Sequence, residues 1–216
     1  PNSAVYRWPV DEGSGQTLTD AIQSEDISLN FSTWVTGAEF VGEAAINLDG
    51  SSDEGTTASA LPEIGLNQDF SIEAWTEPDT KGTADVGALC YQHPADSNRV
   101  SIGYDQGGNG DICGALFDGN NFVAAASTPL PRNNGLKQVV YTYYSGTQTG
   151  EIYVDTAQGT GTRLPNFTGQ SDDAFYIGDN PGNASQFDGT VDLVQLHGEV
   201  LSQSQIDSLF QDHPST

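Results

Sequence analysis

The chain has 216 residues, and 30 Asp plus Glu against 6 Lys plus Arg give it a formal net charge of −24; roughly 2 to 8 in magnitude is usual for a small domain. That charge excludes DNA and RNA as partners, since a phosphate backbone is bound through basic side chains, and it disfavours anionic membrane surfaces. No apolar run approaches the ~20 residues of a membrane-spanning helix, so direct membrane insertion is not expected.

In chain order, strands are expected at 4–8, 45–48, 55–60, 70–77, 86–92, 100–104, 112–117, 122–126, 138–144, 151–154, 174–177 and 189–195. Turn-rich runs such as QGGNGD, DGNN and DNPGNAS separate them and mark hairpins and loops. Aromatic residues make up 9% of the chain and recur between these turns, which is the pattern of a folded β protein and not of a disordered one. Many short strands at this spacing indicate an all-β, two-sheet antiparallel β-sandwich. One short helix follows the last strand: Ser202 and Gln205 form a capping-box pattern, and Ile206, Leu209 and Phe210 make an i, i+3, i+4 stripe. It is expected to cover a sheet edge or an end of the sandwich. No linker or repeat divides the chain, so one domain over 1–216 is expected. Because it opens at Pro1, it is expected to be a mature form or part of a longer protein.

The acids are scattered along the whole chain, and lysine occurs only at Lys81 and Lys137. At ~0.1 M salt the Debye length is ~10 Å, and at 1 M it is ~3 Å. Such a surface repels itself in dilute salt and is screened in concentrated salt. A halophilic source is the expectation.

Five segments, in order, resemble the laminin-G-like, concanavalin A-like lectin/glucanase jelly-roll family. AVYRWPVDEGSGQTLTD is similar to its opening strand and Asp-Glu-Gly-Ser-Gly turn, and AINLDGSSDEGTT to its strand ending in Asp-Gly. LNQDFSIEAWTEPD resembles its central strand, GEIYVDTAQ the strand before its Tyr-Val-Asp turn, and FDGTVDLVQLHGEVLSQSQIDSLF its closing strand and helix. Departures fall at Leu193, Gln195 and His197, where the family more often has acidic, basic and tyrosine residues, and at Ala157, where it more often has glycine. The resemblance implies a jelly roll that serves as a sugar-binding or adhesion module or, in a distinct branch, as a glucanase.

The glucanase branch carries two Glu on one strand with an Asp between them. The nearest match is Glu73-Ala74-Trp75-Thr76-Glu77, whose outer residues lie ~13 Å apart at ~3.3 Å per residue. Glycosidase carboxyl pairs need ~5 to 9.5 Å. His93, His197 and His213 show no metal-ligand spacing, and neither a G-x-S-x-G elbow nor a phosphate loop occurs. The chain is therefore expected not to be an enzyme.

The run DQGGNGD fails as an EF-hand, with Gly107 in the third position and Leu116 in the twelfth, where a bidentate Glu belongs. By the family resemblance, structural calcium would sit where the N-terminal segment meets the closing strand, with Asp20 and Asp192 as side-chain ligands. Trp8, Trp34 and Trp75 are expected to be packed. Candidate ligand-binding residues are instead Tyr91, His93, Tyr104, Asp105, Asn109, Asp111, Asn120 and Asn121, around the tips of three consecutive strands. Cys90 and Cys113, on strands flanking 100–104, would stand two strand spacings or ~9.5 Å apart, beyond the ~7 Å limit for a disulfide. Export favours a bond and this topology opposes it.

The expected function is a non-catalytic extracellular binding or adhesion module at a cell or virion surface. Its partner would be a glycan or a surface glycoprotein, with homotypic or parent-protein contacts besides. The alternatives are a structural subunit of a halophilic filament, surface layer or virus particle, and a glycan-cleaving hydrolase.

Overall fold

The structure, a computed structural model, describes residues 3–30, 32–64, 68–79, 87–92, 98–104, 111–118, 122–129, 134–163, 174–179 and 186–216. Its strands are β1 (Ala4–Trp8), β2 (Thr17–Leu18), β3 (Ile27–Asn30), β4 (Thr33–Thr36), β5 (Ala44–Asp49) and β6 (Glu54–Ala60). These are followed by β7 (Phe70–Pro78), β8 (Gly87–Gln92), β9 (Asn98–Tyr104), β10 (Asp111–Asp118), β11 (Phe122–Pro129) and β12 (Lys137–Tyr144). The remainder are β13 (Thr149–Val154), β14 (Ala157–Gln158), β15 (Thr160–Arg163), β16 (Ala174–Ile177) and β17 (Asp188–His197), and helix α1 (Gln203–Gln211) ends the series. They form two antiparallel sheets. One runs β14-β13-β12-β7-β17-β5-β4 with β1 added on β17; the other runs β15-β11-β10-β9-β8-β16-β6-β3-β2.

Period-two alternation builds the core between the sheets. From the first sheet Phe70, Ile72 and Ala74 of β7, Val139, Tyr141 and Tyr143 of β12, and Val191, Val194 and Leu196 of β17 point inward. They meet Leu89, Val100, Ile102, Ile112, Phe175 and Ile177 of the second sheet. Trp8 is fully buried, stacked between Tyr6 and Phe175 with ring centroids 5.8 and 5.7 Å away. Trp75 is also buried, and Trp34 is half-buried against the core. Tyr141 reaches across the sandwich, and a Cβ added at Gly114 or Gly150 would collide with its ring.

Cys90 and Cys113 are not joined to each other by a disulfide. Their strands flank β9, as the sequence indicated. Cys90 packs in the core, whereas Cys113 lies between the buried Ile112 and Gly114 and so faces the other side of the sheet.

Helix α1 differs from expectation in its position. It covers neither an edge nor an end but the outer face of the first sheet. There Ile206 packs with Val140, Tyr153 and Leu201, and Phe210 with Trp75, Leu136 and Leu193. The cap is as expected: Gln205 Oε1 accepts the Ser202 N–H at 2.9 Å. The outer face of β7, β12 and β17 is thereby buried as well, so polar residues that read as solvent-facing lie in an interior layer.

Candidate functional site

Strand β17 organises that layer. Its first half pairs with β5 and its second half with β1, while β7 lines its other side throughout. Between Val191 and Leu193 the register against β7 shifts by a residue, and such a bulge re-aims the extra side chain. Leu193, Gln195 and His197, the departures from the family pattern, share the outer face with Trp75 and Glu73 of β7 and Gln138 of β12.

Glu73 is fully buried in this layer. Its Oε1 accepts hydrogen bonds from Trp75 Nε1 at 3.1 Å and Gln138 Nε2 at 2.7 Å, and its Oε2 accepts one from Gln195 Nε2 at 3.0 Å. His197 Nε2 stands 3.6 Å from Oε2 without a hydrogen-bond partner. The Nδ1 of the same ring lies 3.0 Å from Ser3 Oγ. Three N–H donors thus offset the desolvation of a buried carboxylate. Strand β7 keeps an unbroken register against β12, so Glu77 begins ~13 Å along the strand from Glu73. Its Oε1 instead accepts the Gly135 N–H at 2.8 Å.

A second buried acid ties α1 down. Asp192 accepts the Val41 N–H at 3.1 and 3.0 Å on its two oxygens, and its Oδ2 lies 2.8 Å from His213 Nε2. The other ring nitrogen, Nδ1, receives the Ser215 N–H at 3.2 Å. A nitrogen that accepts carries no proton, so Nε2 holds the ring hydrogen and donates it to Asp192. The imidazole also stacks on Trp75, with centroids 3.7 Å apart. Burial pushes the Asp192 carboxyl above the usual carboxylate range, while the bonds from His213 and Val41 pull it back.

Between β1, β17 and α1 a cavity of about 300 Å³ opens. Its polar lining includes Ser3, Arg7, Gln195, His197, Ser208 and His213. Arg7 stands opposite Gln195 in the β1–β17 ladder. Glu73 lies behind Gln195 and His197, the residues it bonds or faces. Sequence reasoning missed this site because its members are far apart in the chain and read as ordinary outward positions. The signal available was the set of departures on β17.

Of the eight expected ligand-binding residues, Tyr91, Tyr104 and Asp111 lie on described strands. His93, Asp105, Asn109, Asn120 and Asn121 lie outside the described residues. Tyr104 pairs with Ile112, next to Asp111, at one end of β9 and β10. Tyr91 pairs with Ser101, three residues or ~10 Å away along β9.

Asp20 and Asp192 belong to separate networks. The Asp20 carboxylate accepts the N–H groups of Arg7, Ile22, Gln23 and Glu25 at 3.0, 3.0, 2.9 and 3.2 Å. This ties the loop after β2 to β1. Those hydrogens face the lone pairs a hard cation would need, so this donor set does not fit calcium. Among the described residues no group of three His, Cys, Asp or Glu is arranged to hold a metal ion, and no helix is long and apolar enough to cross a membrane.

The family model described as the Concanavalin A-like lectin/glucanases superfamily matches residues 49–207. The chain belongs to this superfamily. Among curated proteins none matches it by sequence. Solved structures with the same fold include a Trypanosoma rangeli sialidase bound to the inhibitor DANA, with a TM-score of 0.73 and 19% identity over 100% of this chain and 34% of the sialidase. The binding domain of Paraclostridial Mosquitocidal Protein 1 matches with a TM-score of 0.72 and 12% identity, over 96% of this chain and 51% of that one. The Botulinum Neurotoxin serotype G binding domain matches at 0.70 and 14%, over 96% and 50%. The chain therefore spans about a third of the sialidase and half of each toxin binding domain. At these identities the likeness is one of fold. It nevertheless corrects the expectation that the chain is not an enzyme: the same sandwich stands within chains that are sialidases, so a family pattern without a glucanase carboxyl pair does not exclude catalysis.

Proposed function

We propose that the chain is a glycan-recognition domain of a larger extracellular protein, working in concentrated salt at a cell or virion surface. Its partner is a glycan or the sugar chains of a surface glycoprotein. The observation that carries this reading is the coverage of the fold matches. The sandwich accounts for all of this chain but only 34% of a sialidase that has been solved with sialic acid bound, and for about half of two toxin binding domains. A unit that recurs inside larger proteins acting on or attaching to other molecules fits a recognition role. Family membership supports it, and so does a cavity lined by amides, hydroxyls and an imidazole, the groups that hydrogen-bond sugar hydroxyls.

The test is a glycan-array screen of the folded chain in ~3 M salt, where the Debye length falls below ~3 Å. Reproducible binding to a defined set of glycans is expected. A blank array from protein with a native circular dichroism spectrum overturns the reading and turns attention to self-assembly, followed by light scattering in the same salt.

A further inference from the structure

We infer that the cavity beneath α1 binds a small hydroxylated carboxylate, the acidic sugar unit of a glycan, with Arg7 holding the carboxylate. The inference rests on the proposed role in glycan recognition and adds a site and a ligand class.

The first observation is the distribution of charge. Acids outnumber Lys and Arg by 30 to 6 along the chain. Among residues whose side chains are described, the basic ones are Arg7, Lys137, His197 and His213, and three of the four line this cavity. The fourth, Lys137, is paired with Asp155 at 3.2 Å. The described lining contains one acid, Asp212. Among the described residues, basic side chains are thus concentrated at this cavity, where Arg7 is the unpaired cation, and that favours an anion over a cation.

The second observation is that the basic groups are incompletely used. The Arg7 Nε is buried without a hydrogen-bond partner, and no hydrogen bond or ion pair joins the guanidinium to a described residue. An unpaired arginine amid this many carboxylates leaves planar donors available for a ligand carboxylate, the group they match best. His197 Nε2, 3.6 Å from Glu73 Oε2, is likewise buried and unbonded.

Size and remaining chemistry set the rest of the ligand. About 300 Å³ is at the small end of ligand pockets, enough for one ring and too little for an oligosaccharide. Ser3, Ser208 and Gln195 offer hydroxyls and an amide to ring hydroxyls, and Leu193 and Leu201 give an apolar wall for the ring's C–H face. A hexuronate has the required parts.

The test is isothermal titration of the folded chain with D-glucuronate, D-glucose and acetate, at one ionic strength at which the far-ultraviolet circular dichroism is native. Glucuronate is expected to bind, and glucose and acetate to bind at least tenfold more weakly. Arg7→Gln should weaken glucuronate binding at least tenfold while the melting temperature stays close to that of the parent. Ser208→Tyr, which fills the cavity from the helix side, should abolish binding without touching the sheet. No heat from glucuronate overturns the inference, as does equal binding of glucose or acetate, or unchanged binding by both variants. On the array, binding that survives Arg7→Gln would leave glycan recognition standing and remove this site, whereas a blank array removes the recognition role itself.

Discussion

His213 Nε2 donates a hydrogen bond of 2.8 Å to Asp192 Oδ2, joining the segment after α1 to the bulged position of β17 through two side chains that are both buried. The bond stands under the Trp75 ring, so a single imidazole both satisfies a buried acid and covers the outer face of the sheet.

Removing one member of a buried, hydrogen-bonded pair leaves the other without its partner and costs about 3 to 5 kcal/mol. His213→Ala is expected to lower stability by about 3 kcal/mol in urea unfolding, since Asp192 keeps only the Val41 N–H. Adding Asp192→Asn should restore part of that loss. A change below ~1 kcal/mol in the single variant would show that the latch is dispensable.

Glu73→Gln keeps the shape of the side chain but replaces an acceptor oxygen with an NH₂ group facing the N–H donors of Trp75, Gln138 and Gln195. At least one donor is then left buried without an acceptor, a loss of about 1 to 3 kcal/mol. Thermal unfolding should report a lower midpoint; an unchanged or raised midpoint would mean the cage tolerates a neutral group.

Gly114→Ala should destabilise by about 1 to 3 kcal/mol through overpacking, because the new methyl meets the Tyr141 ring inside the core. Tyr141→Leu in the same chain should recover part of the loss, and an additive double variant would place the ring elsewhere.

Glu54 and Asp179 meet at the end of the sandwich. Burial, followed by the hydrogen bond to Asp179 and its charge, raises the Glu54 carboxyl above its usual range. Two carboxyls bond to each other only while one keeps its proton. A raised folded-state pKa means that this group's contribution is fully present below about pH 4.5, its ordinary value, and is lost as pH rises through the raised one. Glu54→Gln supplies a permanent donor, so it should stabilise the chain at pH 7 by roughly 1 kcal/mol, with the gain shrinking toward pH 4. Urea midpoints across that range give the measurement, and a gain that grows as pH falls would reverse the assignment.

The net charge of −24 predicts that stability falls as ionic strength is lowered and self-repulsion returns. The melting temperature should rise steadily between ~0.1 and ~3 M NaCl. A flat profile would remove the argument for a high-salt habitat.

Period-two alternation in segments such as FSIEAWTEP, the turn runs between them and the Ser202–Gln205 cap were enough to establish the two-sheet sandwich and its final helix, because these are local signals. β2, β3, β4, β14 and β15 were not legible: they are two to four residues long and take their order from neighbours, not from their own pattern. The candidate site was less visible still. Alternation alone places Glu73, Gln195 and His197 on an outward face, and an outward face normally meets water. Only the tertiary structure lays α1 over that face, turns three polar residues into a buried cage, and sets Arg7 beside Gln195 across strands 188 positions apart in sequence. The helix can land there because its apolar stripe buries against Val140, Tyr153 and Trp75, a match between distant surfaces that no local pattern encodes.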